Sequence, residues 1–315
     1  MSTIAFFGAT GGCANACLAL TLREGYNAVA MARTPSKLIT QLLDQPGLTQ
    51  EILDKHLRIQ QGDATNIEDV MKTLILQSPN STETSVNSNS NPKNFNFHMG
   101  ETGSNSNIRL VSSIISGIGG TPTMTWTKPN PCEKMSMRIP TLPHIELNNP
   151  HITEESTTTL LKALRRIAEK FPSFEDYIAI APRITVISGT GISSKNGMKD
   201  VPLLFRPMYS SLLPEPHADK NRMEKLFTED LLMKNESVLV GGLIIVRPSF
   251  LTGDHKICAV GVDSGYDKLR VGTDENPSGG IGYLIARPLV GEWIFEEVVK
   301  GGGEKWVGQG VILTC

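Results

Sequence analysis

Ile4-Ala5-Phe6-Phe7-Gly8-Ala9-Thr10-Gly11-Gly12-Cys13-Ala14 is the stretch on which the reading of the fold turns. Four apolar residues, suited to a buried strand, run into a glycine-rich turn, and a helical period begins before the turn is over. Gly8, Gly11 and Ala14 stand at positions one, four and seven of a GxxGxxG/A pattern. The first small residue permits a tight turn, the second lets the backbone approach an anion, and the third allows close packing of helix on strand. With Thr10, Gly12 and Cys13 completing the turn, the free amides of the helix would face a pyrophosphate. A glycine-rich turn is weak evidence by itself, and its place between a strand and a helix is what makes a dinucleotide site the expectation.

Working outward, the first 77 residues alternate strand and helix signals, the pattern of a parallel sheet covered by helices. Strands are expected at Ile4–Phe7, Asn27–Ala32 and Leu57–Gln60. Helices are expected at Cys13–Glu24, stopped by Gly25, and at Ile67–Gln77, capped by Asn66. Farther on, Ile108–Ile115 resumes the sheet, and Ser116-Gly117-Ile118-Gly119-Gly120 breaks it. Residues 121–150 read as loop. Thr153–Lys170 is a helix with an apolar stripe of Leu160, Leu161, Leu164, Ile167 and Ala168. Arg183–Ser188 and Ser237–Val246 are the fifth and sixth strands, with helices over Pro207–Leu213 and Asp219–Leu232 between them. The expected class is therefore α/β, a Rossmann-type doubly wound parallel sheet over residues 1–250. A smaller C-terminal substrate-side region, 251–315, is packed on the same domain, and its short apolar runs and many glycines have no legible order. Between 78 and 107, 15 of 30 residues are Asn or Ser, which reads as a disordered surface insertion, with a substrate lid as the rival.

The end of the second strand bears on the ligand. A carboxylate there would accept hydrogen bonds from an adenosine ribose, whereas this chain has Ala32-Arg33-Thr34-Pro35-Ser36-Lys37. Arg33 can hold a 2′-phosphate through its planar fork and Lys37 can add a point charge, so NADP(H) is preferred to NAD(H). Two solvated surface cations are the plainer alternative.

Composition narrows the class further. A chain of 315 residues, 39% hydrophobic, buries a full core without disulfides or structural metal. A net charge of −2 gives no broad positive field for nucleic acid. The cysteines, at 13, 17, 132, 258 and 315, show neither paired spacing nor an even number, and His144 and His151 have no metal-ligand spacing around them, so no metal is expected. No apolar run reaches about 18 residues and no cleavable leader opens the chain, from which a cytoplasmic protein without a membrane partner is expected.

The sequence resembles the atypical short-chain dehydrogenases, in particular their NmrA-like, NAD(P)H-binding branch. The resemblance rests on GATGGCA at 8–14, MARTPSKL at 31–38, QGDATN at 61–66, ITVISGTGIS at 184–193 and LIIVRPSFLTGD at 243–254. It implies that Asp63 and Ala64 border the adenine, that Ser116 and Gly117 border the nicotinamide ribose, and that Pro248 and Ser249 approach the nicotinamide. Read without the family, Asp63 is a turn residue and Pro248 a strand terminator.

The wider family pairs a serine with Tyr-x-x-x-Lys, the lysine lowering the phenol's pKa for proton exchange. No Tyr-x-x-x-Lys occurs anywhere in this chain. Ser188 stands at the family serine's place, and Tyr209 and Lys220 follow as candidates, with Lys220 able to act as proton donor if it is enclosed beside the cofactor. Their plainer roles are a core aromatic for Tyr209 and a solvated helix residue for Lys220. Cys13 and Cys17, one helical turn apart, read as a turn residue and a core residue and not as a redox pair. Trp126 either lines a substrate pocket or caps the core.

Three functions remain open on these residues. The first is an NADPH-dependent oxidoreductase that reduces a carbonyl, imine or conjugated alkene of a small, largely apolar metabolite, as in a biosynthetic pathway of secondary metabolism. The second is a cyclase that keeps the cofactor without obligatory hydride transfer. The third is a nonenzymatic redox sensor.

Overall fold

A computed structural model describes residues 2–76, 108–120, 122–125, 144–192, 197–207, 209, 213–232 and 239–315. The Asn/Ser-rich insertion expected at 78–107 and Trp126 lie outside these residues, as do parts of the helix expected at 207–213.

Eight strands form the central sheet. They are β1 (Thr3–Phe7), β2 (Asn27–Ala32), β3 (Leu57–Gln61), β4 (Ser113–Ser116), β5 (Arg183–Ile187), β6 (Gly242–Pro248), β7 (Arg270–Thr273) and β8 (Gly310–Thr314), in the order β7-β8-β6-β5-β4-β1-β2-β3. All neighbours are parallel except β7 on β8. Strand order reverses between β1 and β4, which opens a crevice beyond the carboxyl ends of those two strands. This is the Rossmann-type doubly wound sheet that the alternation predicts.

Helices cover both faces, which is why β1 and β5 are buried almost end to end and read as unbroken apolar runs. One face carries α1 (Gly12–Arg23) and, much later in the chain, α8 (Arg287–Trp293), which continues as a wider-wound turn over Ile294–Lys300. Between them in sequence come α2 (Pro35–Leu43) and α3 (Gln50–His56). The other face carries α4 (Ile67–Leu74), α5 (Ile152–Ala168), the short α6 (Phe174–Ile178) and α7 (Pro214–Leu232). Caps place several of these helices. Asn66 accepts from the Glu68 and Asp69 amides at the start of α4, and two amides of α5 are capped from afar by Asp219 of α7, Thr153 at 3.0 Å and Glu154 at 3.1 Å.

Several sequence expectations are corrected. The strand expected over 108–115 is two strands: Arg109–Leu110 pairs with Ile75–Leu76, and only Ser113–Ser116 joins the sheet. At Val111 and Ser112 the backbone changes partner, from the Leu74 carbonyl to that of Thr3. The helix expected to reach residue 77 therefore stops at Leu74. The sixth strand begins at Gly242, five residues later than expected, because its ladder with β5 starts opposite Arg183. Within the supposed loop 121–150, Pro122–Thr125 and His144–Leu147 form an antiparallel ladder. Residues after 250 supply β7, β8 and α8, so they extend the same sheet and cover the same core.

Candidate cofactor and active site

The crevice at the strand reversal is built by glycines that leave no room for side chains. Gly8 has a φ of +70°, and a Cβ there would sit 2.7 Å from the carbonyl carbon and oxygen of Gly117. Gly117, just past β4, would itself drive a Cβ to 2.7 Å from Cβ of Ala14. The ends of β1 and β4 and the first turn of α1 are thus in backbone contact, and the Gly11 amide closes the turn on the Gly8 carbonyl at 2.8 Å. No side chain caps α1 and no acidic residue stands in its first turn. Its leading amides form an uncapped positive end, the arrangement that accepts a phosphate. Cys13 is buried, which pushes its thiol up to about 12. A thiol so reluctant to ionise neither repels an anion nor acts as a nucleophile. Cys17, more deeply buried still, is pushed up farther.

At the next position along the sheet edge, Arg33 is exposed after β2 and close enough to Asp63 to help lower the Asp63 carboxyl, whose main stabiliser is the Thr65 amide at 2.9 Å. Lys37 is exposed on the first turn of α2, three residues beyond Thr34, the N-cap. Ala64 and Ser116 line one small cavity with Phe7, Ile118, Thr157 and Leu160. Apart from Pro248 and Ser249 at the end of β6, the residues expected to hold a dinucleotide therefore lie along the carboxyl end of the sheet, from β4 across β1 to β3.

On the other side of β4, β5 ends at Ile187 and the chain turns through Ser188, Gly189, Thr190 and Gly191 against α7. Lys220 of α7 donates from Nζ to the Ser188 carbonyl at 2.7 Å. Burial lowers its pKa, and the Cys13 thiol on α1 lies within its electrostatic reach. The ammonium therefore sits at the end of β5, against Ser188 and Gly189. Ser188 does not offer its hydroxyl to this space, since Oγ donates to Glu224 Oε1 at 2.5 Å. Glu224 in turn receives Arg247 of β6 through both oxygens, at 3.0 and 2.8 Å, and Arg247 also bonds Asp274. Glu224 lies one helical turn beyond Lys220, so this buried network fixes the helix face that carries the ammonium.

Tyr209 packs beside His217 and shares a hydrogen bond with Thr190 Oγ1 at 3.2 Å. Burial raises its phenol's pKa. His217 goes the other way, lowered to about 4 by burial and by Lys220. Asp200 accepts the Gly191 amide through both oxygens, at 3.1 and 3.0 Å, and burial raises its pKa. Pro248 holds the same loop by accepting the Thr190 amide at 3.1 Å, while the Ser249 hydroxyl turns to Thr314 at 3.1 Å. Ser188, Tyr209, Lys220 and Pro248 are thus brought to one end of β5 and β6. Glu224 and Asp200 carry no local motif, and Arg247 lies within LIIVRPSFLTGD with nothing local to single it out; only the folded topology brings the three to this place. A further cluster of His151, Glu154 and Asp219 has ligand atoms within 4.8 Å of one another, but Arg222 already bonds His151 and Glu154, and Asp219 caps α5.

A Rossmann-type sheet with a glycine-lined turn at its strand reversal is the fold this chain shares with the solved structures below. No family model matches the chain. It is 44% identical over 319 residues to "Oxidase pynE" of Aspergillus niger, covering 99% of this chain and 98% of that protein. It is 35% identical over 315 residues to "Reductase pytE" of Aspergillus terreus, covering 99% and 97%. The chain belongs to the family of Aspergillus oxidoreductases that these two proteins represent. Among solved structures, the oxidoreductase ylbE from Lactococcus lactis shares the fold at a TM-score of 0.51 and 14% identity, covering 99% of this chain and 90% of that one. The anaerobillin reductase ChuY from Escherichia coli does so at 0.50 and 13%, covering 99% and 97%. Among the described residues no helix is long and apolar enough to cross a membrane.

Proposed function

We propose that this protein is an NADPH-dependent reductase of a small, largely apolar metabolite, of the NmrA-like kind, working in the cytoplasm without nucleic-acid or membrane partners. The observation that carries the reading is the Lys220 ammonium, held on the Ser188 carbonyl at the end of β5 and within electrostatic reach of Cys13 in the uncapped phosphate turn. The uncapped α1 amides and the Gly8–Gly117 contact fit a pyrophosphate, and Arg33 with Lys37 fits the 2′-phosphate that separates NADPH from NADH. When bound, the nicotinamide supplies the hydride.

The residues then divide the remaining work. Three candidates could move the accompanying proton. Ser188 donates to Glu224, and the raised pKa of Tyr209 makes its phenol a poor acid. Burial lowers the pKa of Lys220, the direction that suits a proton donor, so Lys220 is the group to which we assign the proton transfer in a chain without Tyr-x-x-x-Lys. Pro248 and the Ser188 backbone position the loop that carries it.

The test uses the purified protein with NADPH and a panel of carbonyl, imine and conjugated-alkene compounds, following loss of the reduced cofactor's absorbance. Oxidation dependent on one compound class supports the reading, and product without any change in cofactor absorbance refutes it. For the cofactor, Arg33→Asp should weaken NADPH far more than NADH, and equal losses would remove Arg33 from the phosphate site.

A further inference from the structure

Gly12 is not one of the three small positions of the phosphate motif, yet it too has no space for a side chain. A Cβ there would fall on Cδ of Arg287 and lie 3.2 Å from its Cβ and Cγ. The stem of Arg287 therefore crosses directly over the first residue of α1. Gly291, one helical turn along α8, fixes this placement: its own missing Cβ would meet Ala16 Cβ at 2.6 Å and the Cys17 amide nitrogen at 2.7 Å. Two helices brought into backbone contact on one side, with an arginine laid over a glycine on the next turn, leave little freedom for that arginine to be elsewhere.

Arg287 is half-buried, and the described hydrogen bond of its guanidinium is exposed, so the group is reachable from outside. It lies over a helix N-terminus, where the helix dipole disfavours a cation. Among the described residues it forms no ion pair, and its one described hydrogen bond goes from Nη1 to the Gly253 carbonyl. Most of the guanidinium's donors are left for another acceptor. An anion between the α1 amides and the guanidinium would satisfy both positive groups together.

We propose that Arg287 is a cofactor-binding residue that clamps the diphosphate of the dinucleotide from the C-terminal side, closing over the turn that α1 opens. The proposal rests on the dinucleotide reading above. It differs from the role of Arg33 in that the diphosphate is common to NADPH and NADH, so Arg287 serves both alike. Gly12 is then glycine to seat this arginine.

The experiment is calorimetric titration of the intact protein with NADPH and with NADH, for the wild type, Arg287→Met, Gly12→Ala and Arg33→Asp, with melting curves of each unliganded protein. Loss of a charged hydrogen bond to the diphosphate predicts that Arg287→Met weakens both cofactors by about 10- to 100-fold. Gly12→Ala, which displaces the arginine and leaves its charge in the protein, should weaken both in the same direction. The unliganded Arg287→Met protein should melt no lower than the wild type, which a purely structural arginine would not allow. Unchanged affinities within twofold, or a loss confined to NADPH, would overturn the clamp. Wild-type protein that binds neither cofactor would overturn the dinucleotide reading and the clamp with it, whereas normal wild-type binding with an unaffected Arg287→Met removes the clamp alone.

Discussion

Arg247→Met offers the sharpest test of the site's internal wiring. The Arg247 side chain is 4% exposed and binds both oxygens of Glu224, itself only 9% exposed. Methionine fills much of the arginine's volume, so the loss is mainly one of charge, leaving Glu224 with the Ser188 hydroxyl alone from this network. Breaking a buried pair from one side costs about 3–5 kcal/mol, chiefly because the surviving charge stays buried. At roughly 2 °C per kcal/mol for a chain of this size, the melting temperature should fall by about 6–10 °C. Adding Glu224→Gln to Arg247→Met removes one of the two carboxylates that lose Arg247, Asp274 being the other, and should recover part of that loss. The assay is thermal unfolding of both variants beside the wild type, with the urea midpoint as a second measure. Because Glu224 and Lys220 share a face of α7, turnover should drop in the single variant more than its residual folded fraction explains. A single variant within about 1 kcal/mol of wild type, or a double variant no more stable than the single, would refute the reasoning.

Three other outcomes follow from the geometry. Lys220→Met should reduce turnover by about 100-fold or more while leaving the NADPH dissociation constant within a few-fold, measured by cofactor oxidation and by titration; unchanged turnover removes Lys220 from proton transfer. His217, whose pKa falls from 6.5 to about 4, is protonated more readily in the unfolded chain. Stability that it contributes above pH 6.5 is therefore lost as pH falls toward 4, by up to ~3 kcal/mol. Melting curves of His217→Asn between pH 7 and pH 4 should show a shallower decline than wild type. Gly8→Ala should strain the φ of +70° and collide with Gly117, destabilising the protein by about 1–3 kcal/mol and abolishing measurable cofactor binding; a variant that binds normally would contradict the described turn.

Legibility in the sequence tracks how local the causes are. Strands β1, β2 and β3 with helix α1 lie within a residue or two of expectation, because their patterns are local: β1, β2 and α1 are apolar runs, and β3 alternates apolar and polar residues as LRIQQ. The region near residue 110 misled because Ile108–Ile115 is apolar apart from Arg109, Ser112 and Ser113 and so reads as one strand, while the change of partner at Val111 and Ser112 depends on Leu74 and Thr3 far away. The phosphate turn was readable for the same local reason, since its glycines serve contacts within a short segment and one neighbouring strand. Ser188 illustrates the opposite limit. Its position was identifiable, but the direction of its hydroxyl depends on Glu224, 36 residues later, which carries no motif. Arg287 had no signal at all, because its significance lies in a glycine 275 residues earlier.

The position of β8 has a consequence for how the molecule comes to be made. Residues 310–314 do not sit at the sheet's margin but between β6 and β7, hydrogen-bonded on both sides. The sheet cannot close on that side until this segment has left the ribosome, and α8, formed shortly before it, is what covers α1. Until residues 287–314 emerge, the nascent chain must therefore carry an exposed apolar face of α1 and, once β6 is made, an open edge of that strand. In a cell, that is an opportunity for chaperones and a hazard of aggregation, and small lesions near residue 312 should lower yield out of proportion to their distance from the site.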